Sequence, residues 1–191
     1  MALWLVLVGS PRPRGNSTRI AETIEHEIAE RYPEDTIETY HIADMQVAGC
    51  NGCDYCKTHG TCVIEDDMQA CFTAIKCADY LCIVSPIYFA GVPSQFKAVL
   101  DRLQPLYWDR QDIKAQHLRF PPKRPAVLYL VGEGGDPYGY KPAAASVKAS
   151  FAMADIAVRK TIPLIGSRPM LSPEDVVLPA EEVDAQSLAE K

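Results

Sequence analysis

The 191 residues show no basic excess, no long apolar run and no metal-binding histidine pair, and each absence removes a class of function. With 19 basic against 25 acidic residues the net charge is −6, so the chain lacks the positive field that nucleic-acid phosphates require. No nucleic-acid partner is expected. The longest N-terminal apolar run, Ala2 to Val8, falls far short of the ~20 residues of a membrane span. It also lacks the basic flank and cleavage site of a secretory leader, so a cytoplasmic location and no membrane association are expected. His26, His41, His59 and His117 form no H-x3-H or H-E-x2-H set, and none is given a catalytic role. No G-x-S-x-G elbow is present, which disfavours a serine hydrolase. Internal repeats and low-complexity segments are absent as well. What remains is an ordinary globular composition, 48% hydrophobic and 23% charged, in a length that suits one domain with a real core.

The hydrophobic pattern alternates between strand and helix signals. Ala2 to Val8 is continuously apolar and ends at Gly9, as expected of a strand buried on both faces. Beyond the polar loop Ser10 to Ser17, Ile20, Ile24 and Ile28 recur at helical spacing, and the pattern stops before Tyr32-Pro33. Thr36 to Ile42 reads as a second strand, followed by a cysteine-rich loop to Glu65. Asp66 or Asp67 can cap a helix carrying Met68, Cys71, Phe72 and Ile75 on one stripe. Asp79 to Val84 reads as a third strand broken by Ser85-Pro86, and Pro93 can begin a helix with Phe96, Val99, Leu100 and Leu103 on its apolar face. Pro105 to Pro125 reads as a long loop, Ala126 to Val131 as a strand, Pro142 to Ala154 as a helix and Ile156 to Ile165 as a fifth strand. This alternation specifies an α/β fold: a three-layer α/β/α sandwich around a five-stranded parallel sheet, with the flavodoxin-like order 2-1-3-4-5. The tail from Ser167, with Pro169, Pro173 and Pro179, fits a surface arm, a short last helix or a dimer contact.

In such a sheet, ligands bind beyond the carboxyl ends of the strands, so the loops after strands one, three and four belong together. The first places Ser10, Ser17 and Thr18 hydroxyls, Asn16, Arg12 and Arg14 ahead of a helix whose free N–H groups favour an anion. It has neither the Gly-Lys-Ser/Thr ending of a Walker A loop nor the G-x-G-x-x-G dinucleotide turn. A phosphate seat is one reading; a helix capped by Asn16 or Ser17 with solvated arginines is the other.

Gly9-Ser-Pro-Arg12 with Gly15-Asn-Ser-Thr18, together with the segment from Ser85-Pro-Ile-Tyr-Phe-Ala-Gly91 to Asp101-Arg102, resembles the NADPH-dependent FMN reductase group of the flavodoxin-like superfamily. The similarity covers roughly residues 1–102 and weakens toward the fifth strand. It implies that Ser10, Arg12, Asn16, Ser17 and Thr18 hold the FMN phosphate. It further implies that Pro86, Ile87, Tyr88 and Phe89 line the isoalloxazine, with Gly91 letting the backbone approach the ring. An apolar, aromatic strand end with nearby backbone donors suits a flavin; the lesser alternative is that Tyr88 and Phe89 simply cover the end of the sheet. The glycines at 132, 134 and 135 would let the fourth-strand loop approach the flavin or its ribityl chain, adding Gly132 and Glu133 as candidates. On this reading residues 1–166 form the FMN-binding domain and 167–191 a C-terminal extension of it.

Seven cysteines in a reducing compartment are thiols, metal ligands or redox groups rather than a disulfide frame. Four of them, Cys50, Cys53, Cys56 and Cys62, follow C-x2-C-x2-C-x5-C spacing. Tight C-x2-C-x2-C runs wrap three corners of a cubane cluster, the fourth thiolate comes from elsewhere, and Cys62 is a candidate for it. The arrangement resembles the iron-sulfur flavoproteins of the same family, in which a compact four-cysteine motif holds a [4Fe-4S] cluster that passes electrons to FMN. Related FMN reductases with similar cysteines followed by an Asp-Asp-Met segment, here Asp66-Asp67-Met68, need not carry a cluster, so a reduced or redox-active thiol set stays open, as does structural zinc. Cys71, Cys77 and Cys82 read as buried small hydrophobes.

The expectation is an FMN-dependent oxidoreductase that moves electrons from NAD(P)H through flavin to a quinone, flavin, aromatic or iron-sulfur acceptor, small molecule or protein. A non-enzymatic FMN/[4Fe-4S] electron carrier is the alternative. The resemblance implies a homodimer or homotetramer, for which Tyr107-Trp108 gives the one hint in the sequence.

Overall fold

Leu3 to Val8 can be apolar at every position because both of its faces are covered. In the computed structural model, which describes residues 1–166 and 170–182, this strand (β1) lies between β2 (Thr36–His41) and β3 (Tyr80–Pro86). β4 (Arg124–Gly132) and β5 (Ile156–Ile165) complete a five-stranded sheet of order β2-β1-β3-β4-β5, parallel throughout. The fold class and strand order expected from the hydrophobic pattern are those observed.

Alternate residues of the central strands feed two separate cores, as the strand period of two requires. Trp4, Val6 and Val8 of β1 face helix α1 (Asn16–Arg31), whose Ile20, Ile24 and Ile28 lie one above the other at i, i+4 and i+8. Each such buried side chain contributes about 1.5–3 kcal/mol. Leu5 and Leu7 face the opposite layer, built from α3 (Met68–Cys77), α4 (Ser94–Asp101) and α6 (Lys141–Ala152). Part of the C-terminal segment joins the α1 side: Leu171, Val176 and Leu178 are buried there, and the Tyr129 hydroxyl donates to the Val177 carbonyl at 2.6 Å. The tail residues 167–169 and 183–191, including Ser167 and Pro169, lie outside the described residues.

Several expectations need correction. Gln104–Ala115 is a helix (α5), not part of a long loop. Its apolar signal is weak because only Pro105 and Leu106 are buried, and Pro105 opens the helix instead of breaking it. A single turn, α2 (Tyr55–His59), interrupts the cysteine loop. Neither Asn16 nor Ser17 caps α1: Gly15 stands at that position, and Asn16 is already helical. β3 runs on through Ser85-Pro86, which pair with Leu130 and Val131. Phe72 is half-buried, and Cys77 is exposed, unlike the buried Cys71 and Cys82. Among the described residues, no helix is long and apolar enough to cross a membrane.

Candidate functional site

The carboxyl ends of β1, β3 and β4 border a cleft of about 520 Å³, within the usual size of a cofactor site. On its first wall, Ser10, Arg12, Gly15, Asn16 and Ser17 surround the start of α1. The loop fixes its own shape. The Arg12 amide donates to the Ser10 hydroxyl at 3.1 Å, and the Arg12 carbonyl accepts from the Gly15 amide at 3.3 Å. No side chain caps α1 among the described residues, so its leading N–H groups and the positive end of its dipole face the cleft. An oxyanion is the group such a helix end accepts.

The second wall is the turn after β3. Tyr88 and Gly91 close it through two backbone hydrogen bonds, each 2.9 Å. Phe89 and Ala90 between them both hold positive φ, 49° and 60°, which a bulky residue such as Phe rarely adopts. That conformation costs of order 1–3 kcal/mol per residue and is held by the two Tyr88–Gly91 bonds; it leaves the Phe89 ring fully exposed at the rim, while Pro86 and Ile87 form the floor. The third wall is the loop after β4, with Gly132, Glu133, Gly134, Gly135 and Asp136. Gly134 and Gly135 have φ of +95° and +82°, so the chain here turns back in a conformation only glycine adopts readily.

Ten of the twelve flavin-site candidates border this one cleft: Ser10, Arg12, Asn16, Ser17, Pro86, Ile87, Tyr88, Phe89, Gly132 and Glu133. Thr18 does not; it is buried, and its hydroxyl donates to the Arg12 carbonyl at 3.4 Å. Gly91 closes the turn behind Phe89 instead of facing the cleft. Tyr140 and Ile165, which also line it, escaped sequence reading because they approach from the start of α6 and the end of β5. The donor set, the apolar floor and the volume fit FMN: an uncapped helix start and Arg12 suit its phosphate, and Pro86, Ile87 and the aromatic turn suit a flat ring.

A second cavity, about 270 Å³, is walled by Cys50, Cys53, Cys56 and Cys62 together with Arg102 and Trp108. Burial pushes the Cys56 thiol above its ordinary pKa, and the nearby Cys62, Cys50 and Cys53 push it the same way. Four such thiolates repel one another unless a cationic group joins them. No three His, Cys, Asp or Glu side chains among the described residues converge closely enough to hold a single metal ion. The thiols instead stand around a cavity, an arrangement that fits a larger group with four points of attachment better than one zinc ion.

What closes this cavity is a residue that sequence reading passed over. Arg102, just beyond α4, is 1% exposed. Its guanidinium forks onto the Asp66 carboxylate at 2.8 and 3.1 Å and donates to the Ala48 and Ile64 carbonyls at 3.0 and 2.9 Å. Asp66 also accepts from the Ala48 and Met68 amides at 2.9 and 3.0 Å. Burial alone would raise the Asp66 carboxyl, but the hydrogen bonds from Arg102 and the two amides outweigh it and hold its pKa below the ordinary value. The signal was present in the sequence: Arg102 lies three residues after Val99, beside the apolar stripe of α4, where an unpaired charge would be costly. Trp108, read in the sequence as a hint of an oligomer contact, stands on α5 beside this cavity, and its ring carries the Lys57 ammonium of α2 at 5.0 Å.

The family model described as NADPH-dependent FMN reductase matches residues 3–167. An iron-sulfur flavoprotein of Methanocaldococcus jannaschii is 42% identical over 100 residues, 51% of this chain and 50% of that protein. The chain spans about half the length of the curated relatives it matches. Among solved structures, an azoreductase from Bacillus anthracis superposes with a TM-score of 0.64 at 15% identity, covering 100% of this chain and 96% of the other. Flavodoxin 1 from Bacillus cereus superposes with 0.55 at 14% identity, covering 97% and 94%. These two superpositions bear on the fold alone.

Proposed function

Because the chain belongs to the NADPH-dependent FMN reductase family, we propose that it is an FMN-dependent oxidoreductase. It takes electrons from NAD(P)H and delivers them to a quinone, flavin, aromatic or iron-sulfur acceptor. FMN occupies the cleft at the ends of β1, β3 and β4, and a [4Fe-4S] cluster the cysteine cavity. The observation that carries the reading is the convergence of an uncapped helix start, Arg12 and a strained aromatic turn on one cleft of cofactor size.

FMN, when bound, would supply the redox chemistry of taking up and passing on electrons. The chain's residues bind and orient. The leading amides of α1, with Ser10, Asn16 and Ser17, hold the phosphate, and Arg12 offsets its charge. Pro86 and Ile87 exclude water from one face of the ring, and the Tyr88 to Gly91 turn keeps Phe89 at the rim where a nicotinamide would arrive. Cys50, Cys53, Cys56 and Cys62 would hold the cluster, a reading supported by the iron-sulfur flavoprotein names of the relatives. A cytoplasmic location and a homodimer or homotetramer belong to the same proposal, the latter measurable by light scattering.

Anaerobically purified protein is expected to show a flavin spectrum that bleaches promptly on rapid mixing with NADPH or NADH. Colourless protein that takes up no FMN on titration overturns the proposal. The separate cysteine cavity favours one second reading, an electron carrier, in which dithionite or reduced ferredoxin bleaches the flavin and nicotinamides do not.

A further inference from the structure

We propose that Arg102 is a positioning residue for the cysteine cavity that also raises the reduction potential of the group held there, by presenting its Nε–H to the sulfur. The proposal rests on the cluster reading above and assigns Arg102 a part in it. An arginine carries five N–H donors. Four are accounted for: one Nη serves the Ala48 carbonyl and one Asp66 oxygen, and the other serves the Ile64 carbonyl and the second Asp66 oxygen. The fifth, on Nε, is buried without a hydrogen-bond partner, and it is the only such side-chain nitrogen among the described residues. A buried donor on a charged group is rarely left unmade without a role.

The position of this donor suggests the role. Arg102 lines the cysteine cavity, and Cys62 lies within electrostatic reach of its guanidinium. Two of the four bonds already made tie residues 48 and 64, which bracket the whole four-cysteine segment, so the same group closes the neck of the loop and lines the cavity within it. A cluster held by four thiolates is anionic and becomes more so on reduction. A buried cation and an N–H donor at its sulfur therefore favour the reduced form and raise the potential. Asp66 offsets part of that positive charge and so works in the opposite direction.

The two partners thus make opposite predictions, which a purely structural clamp does not. Full-length protein is purified anaerobically as wild type, Arg102→Gln, Arg102→Lys and Asp66→Asn. Iron and acid-labile sulfide are counted for each, and the cluster potential is read by EPR-monitored titration. Arg102→Lys, which keeps the charge but lacks Nε–H, is expected to hold its iron and titrate at lower potential, with Arg102→Gln lower still. Asp66→Asn is expected to titrate higher than wild type. If the arginine variants lose their iron, Asp66→Asn decides: a rise supports the proposal, and no rise overturns it. Iron-loaded variants that all shift the same way, or not at all, overturn it while leaving the cluster reading intact. Wild-type protein without iron and sulfide overturns both.

Discussion

At Gly9 the end of β1 passes against the ring of Phe96, so closely that a Cβ placed there would lie 2.5 Å from the ring. The Gly9 amide is tied to the Val84 carbonyl at 2.7 Å, and Phe96 is fully buried, so neither side can yield cheaply. Gly9→Ala is expected to cost about 1–3 kcal/mol by overpacking. Urea unfolding should also show that adding Phe96→Leu recovers part of that loss, giving a non-additive double-mutant cycle. Asp66 supports a prediction about pH. Its folded-state pKa is depressed, so its contribution is complete above the unfolded value of about 4 and is lost as pH falls through the lower folded value. Melting temperatures of wild type and Asp66→Asn should therefore differ at pH 6 and converge toward pH 3. Convergence in the other direction would contradict the assigned shift. Cys71 and Cys77 show the limit of residue-level reading. Both sit on one helix six positions apart, yet one is buried with its thiol pushed up to about 12 and the other is exposed. Six residues is not a repeat of the helical turn, so the two cannot share the buried stripe.

Elements were legible where their periodicity was driven by burial. α1, α3 and α4 pack three or more apolar side chains against the sheet, and their patterns named them; α5 buries two residues and was read as loop. The C-terminal segment has the opposite character, with little regular structure but a defined docking site. The Tyr129 hydroxyl donates to the Val177 carbonyl and accepts from the Val177 amide at 3.0 Å, and burial pushes the phenol well above its ordinary pKa. Tyr129→Phe strands both backbone groups. A loss of about 1–3 kcal/mol is expected, with earlier proteolytic cleavage around residues 170–182 than in wild type. Unchanged cleavage would mean the apolar contacts of Leu171, Val176 and Leu178 suffice alone.

For the molecule as a whole, a cleft assembled from three strand ends links cofactor binding to global stability. FMN at about 100 times its dissociation constant should add about 2.7 kcal/mol, roughly 5–10 °C in melting temperature for a chain of this size. Arg12→Ala should reduce that gain, and riboflavin, which lacks the phosphate, should give similar shifts with both proteins. Equal losses with both ligands would place Arg12's effect elsewhere than at the phosphate.

The strands and the loops that follow them were legible in the sequence because continuous apolar runs and glycine-proline punctuation are local consequences of burial on both faces, and the βα alternation then suited the observed strand order. The sequence also exposed the four-cysteine spacing. The tertiary structure decided what no local pattern encodes: that Thr18 and Gly91 turn away from the cleft while Tyr140 and Ile165 enter it, and that Asp66 and Arg102, 36 positions apart, lock together at the neck of the cysteine loop. A buried ion pair is stable only when both charges and their hydrogen bonds are supplied at once, and those partners come from segments that the chain brings together only by folding.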